Sequence, residues 1–381
     1  MDRRVYYIAN ARMPNEKAHG IQLAKMCEAF IKQGIDLELI LPNKKNKNKS
    51  SIHKFYGLRD KIKIKKLPIV NIFPKTRFGF NLSALTFAYS YFFYLLFKRL
   101  KREKFIIYTI DLDQFSFFMI PLLGVSYFFE THALKKRSFA HTFFFRKVKG
   151  VIAINKIIKK DLIKHFGFDY SKILVFPNGI DLTMFKIFPQ KQAKEHLDLP
   201  AEKRTIVYIG RAYNWKGMDI IIDVANHLPE TYVFYIVGTT ETQLKDVTGK
   251  DRIPENIVCV GHRDYKEIPL WESAADVLLQ LGIKTNDYSY RQTSPMKLFE
   301  YMAVMRPIVA SKTPAIEEIV NKNEVSFYEP DNPLSLTESI QKVVKEKNQA
   351  DEKTKNARAK VEKFTWEKRA YAIKEFIIKS A

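Results

Sequence analysis

The sequence predicts an α/β protein of two doubly wound parallel sheets. Three observations carry this expectation. Short apolar runs alternate with segments of helical period along the whole chain. The runs are apolar throughout, as in strands covered on both faces by helices. The pattern breaks at Pro177-Asn178-Gly179-Ile180-Asp181, where three turn-forming residue types cluster, and then restarts. A length of 381 residues suits two domains, at roughly 150 residues each.

In the first half, strands are expected at 5–9, 37–41, 105–109, 127–130, 151–154 and 173–176. Between the first two, Leu23, Met26, Cys27, Phe30 and Ile31 fall at helical spacing and Gly34 ends the helix. Residues 44–51 form a lysine-rich loop. In the second half, strands are expected at 205–209, 232–237, 257–260, 276–279 and 307–310, the first three each followed by a glycine. No short-period repeat is present, so two similar folds stand in tandem and not a solenoid. The domain expectation is therefore 1–180 and 181–363. An amphipathic helix at about 364–381 is expected to cross back onto the first domain.

Composition narrows the function classes. Hydrophobic residues make up 46% and charged residues 28%, enough for two ordinary cores and too much apolar material for a disordered chain. Only two cysteines occur, Cys27 and Cys259, outside any Cys/His cluster. A disulfide framework or structural zinc site is not expected, and a reducing cytosol fits. Met1-Asp2-Arg3-Arg4 leads straight into the first strand, so no secretory signal is expected. The net charge of +23 points to a polyanionic partner: anionic lipid, nucleic acid or a phosphorylated substrate. The alternative is a lysine bias of the source proteome.

Candidate chemistry concentrates in the second half. Gly210-Arg211-Ala212-Tyr213-Asn214-Trp215-Lys216-Gly217 follows a strand and opens a helix. Ligands of open α/β sheets bind beyond the carboxyl ends of strands. Gly210 lets the backbone turn closely, and Arg211 and Lys216 place two cations beside a helix start, a site suited to a diphosphate. The alternative is a solvated basic loop. A second segment, Gln292-Thr293-Ser294-Pro295-Met296-Lys297-Leu298-Phe299-Glu300, also precedes a helix, whose free N–H groups would bind sugar hydroxyls or phosphate. Glu300 lies among apolar residues and needs a partner. A ribose diol is one candidate; Lys297 or Arg306 is the other.

Together the two segments resemble the nucleotide-sugar half of the GT-B retaining glycosyltransferases, specifically family 4. The resemblance rests on Gly210, Arg211, Lys216 and Gly217, and on a motif of two glutamates seven residues apart whose second member matches Glu300. The 177–181 hinge, Ala274-Ala275-Asp276-Val277 and Pro307-Ile308-Val309-Ala310-Ser311 also match. It implies two Rossmann-like domains facing across a cleft and a UDP- or GDP-linked sugar as donor. Arg211 and Lys216 would hold the diphosphate, and Glu300 the ribose. The Pro295–Leu298 backbone (Pro295, Met296, Lys297, Leu298) with Ser294 would bind donor hydroxyls and phosphate, and backbone at His262-Arg263 would touch the base. Gln292 departs from the family's first glutamate, so its role is reduced to hydrogen bonding.

In the first half, His132 stands where the family has a histidine facing the donor sugar, and would orient the sugar or manage the acceptor proton. A structural histidine at a strand end is the alternative. Gly20 resembles the family's first loop, with His19 a weaker candidate than His132. Asp111-Leu112-Asp113 looks like a metal-binding motif of another glycosyltransferase fold. With Arg211 and Lys216 available, no metal or cofactor is expected, and the aspartates would face the acceptor. Residues 84–97 are dense in aromatics and are followed by Lys98, Arg99, Lys101 and Arg102. The segment is read as too short to span a membrane, leaving an interfacial helix or a core helix.

The favoured reading is a metal-independent retaining glycosyltransferase (hexosyltransferase class) with a glycan or lipid-linked acceptor. It would serve surface polysaccharide, lipopolysaccharide or glycolipid synthesis. It would be cytoplasmic and peripheral on the inner face of an anionic cytoplasmic membrane, with no nucleic acid partner. A sugar-nucleotide epimerase of the same fold and a non-catalytic membrane- or nucleic-acid-binding relative are the alternatives. The donor sugar, base, acceptor and oligomeric state are not encoded in these motifs.

Overall fold

The computed structural model describes residues 3–46, 48–73, 76–111 and 113–380. Met1, Asp2, Lys47 and Leu112, which figure in the segments above, lie outside the described residues. The chain divides into two compact units, 1–178 with 366–381, and 179–365.

Unit 1 runs β1 (Arg4–Ile8), α1 (Ala18–Lys32), β2 (Leu37–Pro42), α2 (Ile52–Tyr56), β3 (Lys63–Leu67), α3 (Arg77–Leu100), β4 (Phe105–Ile110) and α4 (Gln114–Phe117). It continues through β5 (Tyr127–Thr131), α5 (Phe139–Lys147), β6 (Gly150–Ala153), α6 (Lys156–Phe166) and β7 (Ile173–Val175). Its seven strands lie in the order β3-β2-β1-β4-β5-β6-β7, all parallel. The order reverses beside β1, so the ends of β1 and β4 face a topological switch point.

Unit 2 runs α7 (Gln190–His196), β8 (Arg204–Ile209), α8 (Asp219–His227), β9 (Tyr232–Val237), α9 (Glu241–Thr248), β10 (Ile257–Gly261) and α10 (Ile268–Ala274). Then come β11 (Val277–Gln280), α11 (Met296–Ala303), β12 (Ile308–Ser311), α12 (Pro314–Glu317), β13 (Ser326–Tyr328), α13 (Pro333–Lys345) and α14 (Lys347–Val361). Its parallel sheet has the order β10-β9-β8-β11-β12-β13. Along β8, Val207 and Ile209 enter one core and Ile206 and Tyr208 the other. Burial on both faces is the reason this strand reads as a continuous apolar run. The last helix, α15 (Trp366–Ser380), packs on α1 within unit 1.

Two strands have no counterpart in the sequence reading, and both are sheet edges. β3 exposes Lys63, Lys65 and Lys66, a lysine-protected edge without an apolar signature. β13 has three residues. The aromatic segment is also longer than expected. Thr76 caps it by accepting from the Gly79 N–H, and α3 runs for 24 residues. By length and composition it could cross a membrane. Phe87, Tyr91 and Leu95 on one side are nevertheless fully buried in the unit 1 core.

Candidate active site

In unit 2 the site is assembled where β8 and β9 end. Gly210 has φ 144° and Gly238 φ 98°, conformations that favour glycine. The Gly210 N–H donates to the Val237 carbonyl at 2.7 Å and its own carbonyl accepts from Thr239 Oγ1 at 2.8 Å. A β-carbon on Gly210 would lie 3.0 Å from Lys297 Nζ, 3.2 Å from Lys216 Nζ and 3.3 Å from Tyr208 Oη. Two ammonium groups therefore converge on one bare backbone position.

Neither lysine has an ion-pair partner among the described residues. Lys297 sits in the first turn of α11 with its ammonium 4.1 Å from the centre of the Tyr208 ring. Lys216 lies 5.3 Å from the ring centres of Tyr213 and Trp215. Burial brings the Lys216 pKa down to about 8. Burial, and then the charge on Lys216, push Lys297 well below its ordinary value. Both effects disfavour the charged ammonium, a cost that a bound anion would offset. The N-terminus of α11 has no side-chain cap, so its first N–H groups add donors.

From the sequence motif, Arg211 is expected to act beside Lys216. Arg211 is exposed and makes no ion pair among the described residues. Lys297, expected to act through its backbone, brings its side chain to the same spot as Lys216. Leu298 is fully buried in the core and Ser294 is buried ahead of α11. Pro295 occupies the cap position and Met296 the first helical one. Arg263 bends onto its neighbour, donating to the His262 carbonyl at 2.9 Å, in the loop after β10.

Glu300 is buried and accepts a 2.8 Å hydrogen bond from Tyr265 Oη. Burial lifts its pKa to about 7, against the Tyr265 hydrogen bond and the Lys297 charge. Arg306, one partner weighed for it, instead donates to the Ala275 carbonyl at 2.7 Å. Glu272 belongs to neither of the sequence motifs. It is fully buried, neither carboxyl oxygen is hydrogen-bonded among the described residues, and burial with the Glu300 charge raises its pKa well above the ordinary carboxyl value. The signal was there as a lone acid inside the apolar stretch 268–275. Gln292 donates to Asp287 Oδ2 at 2.5 Å. A carboxylate thus stands beside the amide that replaces the family glutamate.

In unit 1, β5 carries Glu130 and ends beside His132. His132 Nε2 lies 2.6 Å from Glu130 Oε1, and the His132 N–H donates to Asp111 Oδ2 at 3.1 Å. Arg369, fully buried on α15, binds Glu130 with both terminal nitrogens, at 2.9 and 3.2 Å. Burial would raise the Glu130 carboxyl, but Arg369 and His132 hold it well below its ordinary value. Asp111 also accepts from Lys135 at 2.7 Å, and Asp113 caps α4 by accepting from Phe115 and Ser116 N–H groups. Both aspartates are thus engaged in holding loops. The α-carbon of Gly20 faces Tyr56 Oη and Asn15, which a β-carbon would meet at 2.5 and 2.8 Å. Packing of the first loop accounts for that glycine, and His19 beside it is exposed.

Residues 20–184 match the family model "Glycosyltransferase Family 4", and residues 189–360 match "Glycosyl transferases group 1". The two models cover consecutive units and leave only short segments unmatched. This chain belongs to the family 4 glycosyltransferases. Its family relatives include a D-inositol 3-phosphate glycosyltransferase of Xylanimonas cellulosilytica, 22% identical over 59% of this chain and 55% of that protein. A processive diacylglycerol alpha-glucosyltransferase of Acholeplasma laidlawii is 24% identical over 55% of this chain and 66% of its own. The chain spans little more than half the length of the first curated relatives it matches. Among solved structures, a sucrose-phosphate synthase from Thermosynechococcus elongatus superposes with a TM-score of 0.77 at 16% identity, covering 99% of both chains. Anabaena HepE in complex with UDP-glucose superposes with a TM-score of 0.72 at 16% identity, also over 99% of both chains. These superpositions identify the fold of this family 4 chain as GT-B.

Proposed function

We propose that this chain is a retaining glycosyltransferase. It takes a sugar from a UDP- or GDP-linked donor and passes it to a glycan or lipid-linked acceptor. The work belongs to cell-surface polysaccharide or glycolipid synthesis at the inner face of the cytoplasmic membrane. The observation that carries the reading is the meeting of unpaired Lys216 and Lys297 at Gly210. As the bond from the sugar to the diphosphate breaks, its electron pair goes to the phosphate oxygen. Two preorganised cations stabilise that developing charge. The acceptor hydroxyl attacks from the same face, which retains configuration. Glu300 as a carboxylate takes the ribose hydroxyls. Arg211, exposed beside Gly210, adds a third cation, and His132 orients the sugar or takes the acceptor proton. UDP-glucose bound to HepE supports the donor class. Relatives named for teichuronic acid, colanic acid and diacylglycerol chemistry support the acceptor class.

The test is a thermal-shift panel of UDP, GDP, ADP, CMP and dTDP with and without their sugars. Ligand that binds only the native state must raise its apparent stability. A selective shift for one diphosphate, lost in Lys216→Ala and Lys297→Ala, supports the reading. No shift with any of them overturns it in favour of a non-catalytic relative.

A further inference from the structure

The +23 net charge is not shared between the units. Unit 1 holds 38 Lys and Arg against 14 Asp and Glu, while unit 2 holds 26 against 27. The whole excess lies on one α/β unit, so a general lysine bias of the source does not account for it. The same unit carries an unusual helix. One face of α3 (Gly79, Ala84, Phe87, Tyr91, Leu95) is in the core. The opposite face repeats at steps of three, four and seven residues and is apolar as well: Phe78, Leu82, Leu85, Tyr89, Phe93 and Leu100. Phe78 is 67% exposed, Phe93 61% and Leu100 73%. A helix apolar on two opposite faces normally has both covered.

Charge and exposed apolar surface meet on this side of unit 1. α3 contains no acidic residue. Lys101 lies 4.4 Å from the centre of the exposed Phe97 ring, and Lys65 of edge strand β3 lies 5.5 Å from that of Tyr94. Neither lysine has an ion pair among the described residues. Val70, Ile72 and Phe73, in the segment leading to α3, are exposed too. Aromatic and aliphatic side chains between unpaired lysines are what a headgroup–acyl boundary accommodates, and anionic lipid adds attraction for each cation close to the surface.

We infer that the outer face of α3, with the exposed 70–73 segment and the lysines of β3, is a docking surface for an anionic lipid bilayer, α3 lying in the interface and not crossing it. The occupant is lipid and not nucleic acid, because the centre of the patch is apolar and its cations stand at the rim. This rests on the membrane-side part of the proposed function and gives it a face.

The test is flotation of the full chain with phosphatidylcholine vesicles, with and without phosphatidylglycerol. Wild type is expected to float with the anionic vesicles and stay behind with the neutral ones. Phe93→Ser with Leu100→Ser lowers that binding at least ~10-fold, and Lys65→Glu with Lys101→Glu lowers it in a salt-dependent way. Thermal shift by the nucleotide diphosphate, run on the same samples, stays unchanged in all variants because α3 keeps its core face. Its absence in every sample would sink the transferase reading and leave the docking result standing. Wild type that ignores anionic vesicles, or serine variants that float as well as wild type, overturns the docking surface. So does a concentration-dependent dimer that the serine variants lose without any vesicle binding, which would assign the face to a second copy.

Discussion

Arg369 and Glu130 form a fully buried, doubly hydrogen-bonded ion pair between the last helix and strand β5. The same carboxylate takes His132 Nε2 at 2.6 Å. An ionised carboxylate can only accept, so the contact calls for a proton on Nε2. Arg369→Met therefore leaves Glu130 buried with its main counter-charge gone, at a cost of ~3–5 kcal/mol. Urea unfolding measures it. Glu130 is depressed in the folded state, so its contribution is present above the unfolded carboxyl value and is lost as pH falls through the lower folded one. His132→Ala, at a half-buried position, is expected to change stability far less and turnover far more. Equal stability losses in the two variants would assign His132 to the scaffold.

The donor site predicts an order of effects. Lys216→Ala and Lys297→Ala each remove one of two converging cations and lower nucleotide diphosphate affinity by ~10-fold or more. Arg211→Ala, at an exposed side chain, costs less. Gly210→Ala is the most severe, because it forces a β-carbon to within 3.0 Å of Lys297 at φ 144°. Calorimetric titration with UDP and GDP ranks the four. An Arg211→Ala effect larger than that of Lys297→Ala would return the diphosphate to the pairing read from sequence.

What the sequence disclosed follows from what each feature depends on. β8 and β9 were legible because burial on both faces leaves an uninterrupted apolar run ended by glycine. β3 was not, because an edge strand protected by lysines looks like a solvated loop. Glu300 stood out as a carboxylate in an apolar helix. The Lys297 side chain did not, since its partner position, Gly210, is 87 residues earlier and only the sheet joins them. Arg369 was illegible for the same reason. A lone arginine on an amphipathic helix gives no sign that a buried carboxylate waits on β5.

Two of the perturbed groups of unit 2, Glu300 and Lys216, set a pH window. Glu300, raised to about 7, must lose its proton to accept ribose hydroxyls. Lys216, lowered to about 8, must keep its proton to hold phosphate. The pH profile of kcat/KM, which reports the free enzyme, is expected to rise through about 7 and fall above about 8. Stability has its own sign. A folded Glu300 that keeps its proton after the unfolded chain has lost it makes the protein less stable as pH rises from 4.5 to about 7. A flat profile from pH 6 to 9, measured over ~3 pH units, would remove both groups from the reaction.

Tyr265→Phe isolates the acid limb. The Tyr265 hydroxyl donates to Glu300 at 2.8 Å and thereby favours its ionised form. Removing the hydroxyl takes away that support while the ring stays packed against Phe185. The acid limb of the profile should move upward from about 7, and the alkaline limb, set by Lys216, should stay. At the acid end the variant binds nucleotide more weakly than wild type, and the gap narrows as rising pH ionises Glu300 in both. A purely structural role for Tyr265 would lower binding by the same factor at every pH, so the dependence of the gap on pH decides between them.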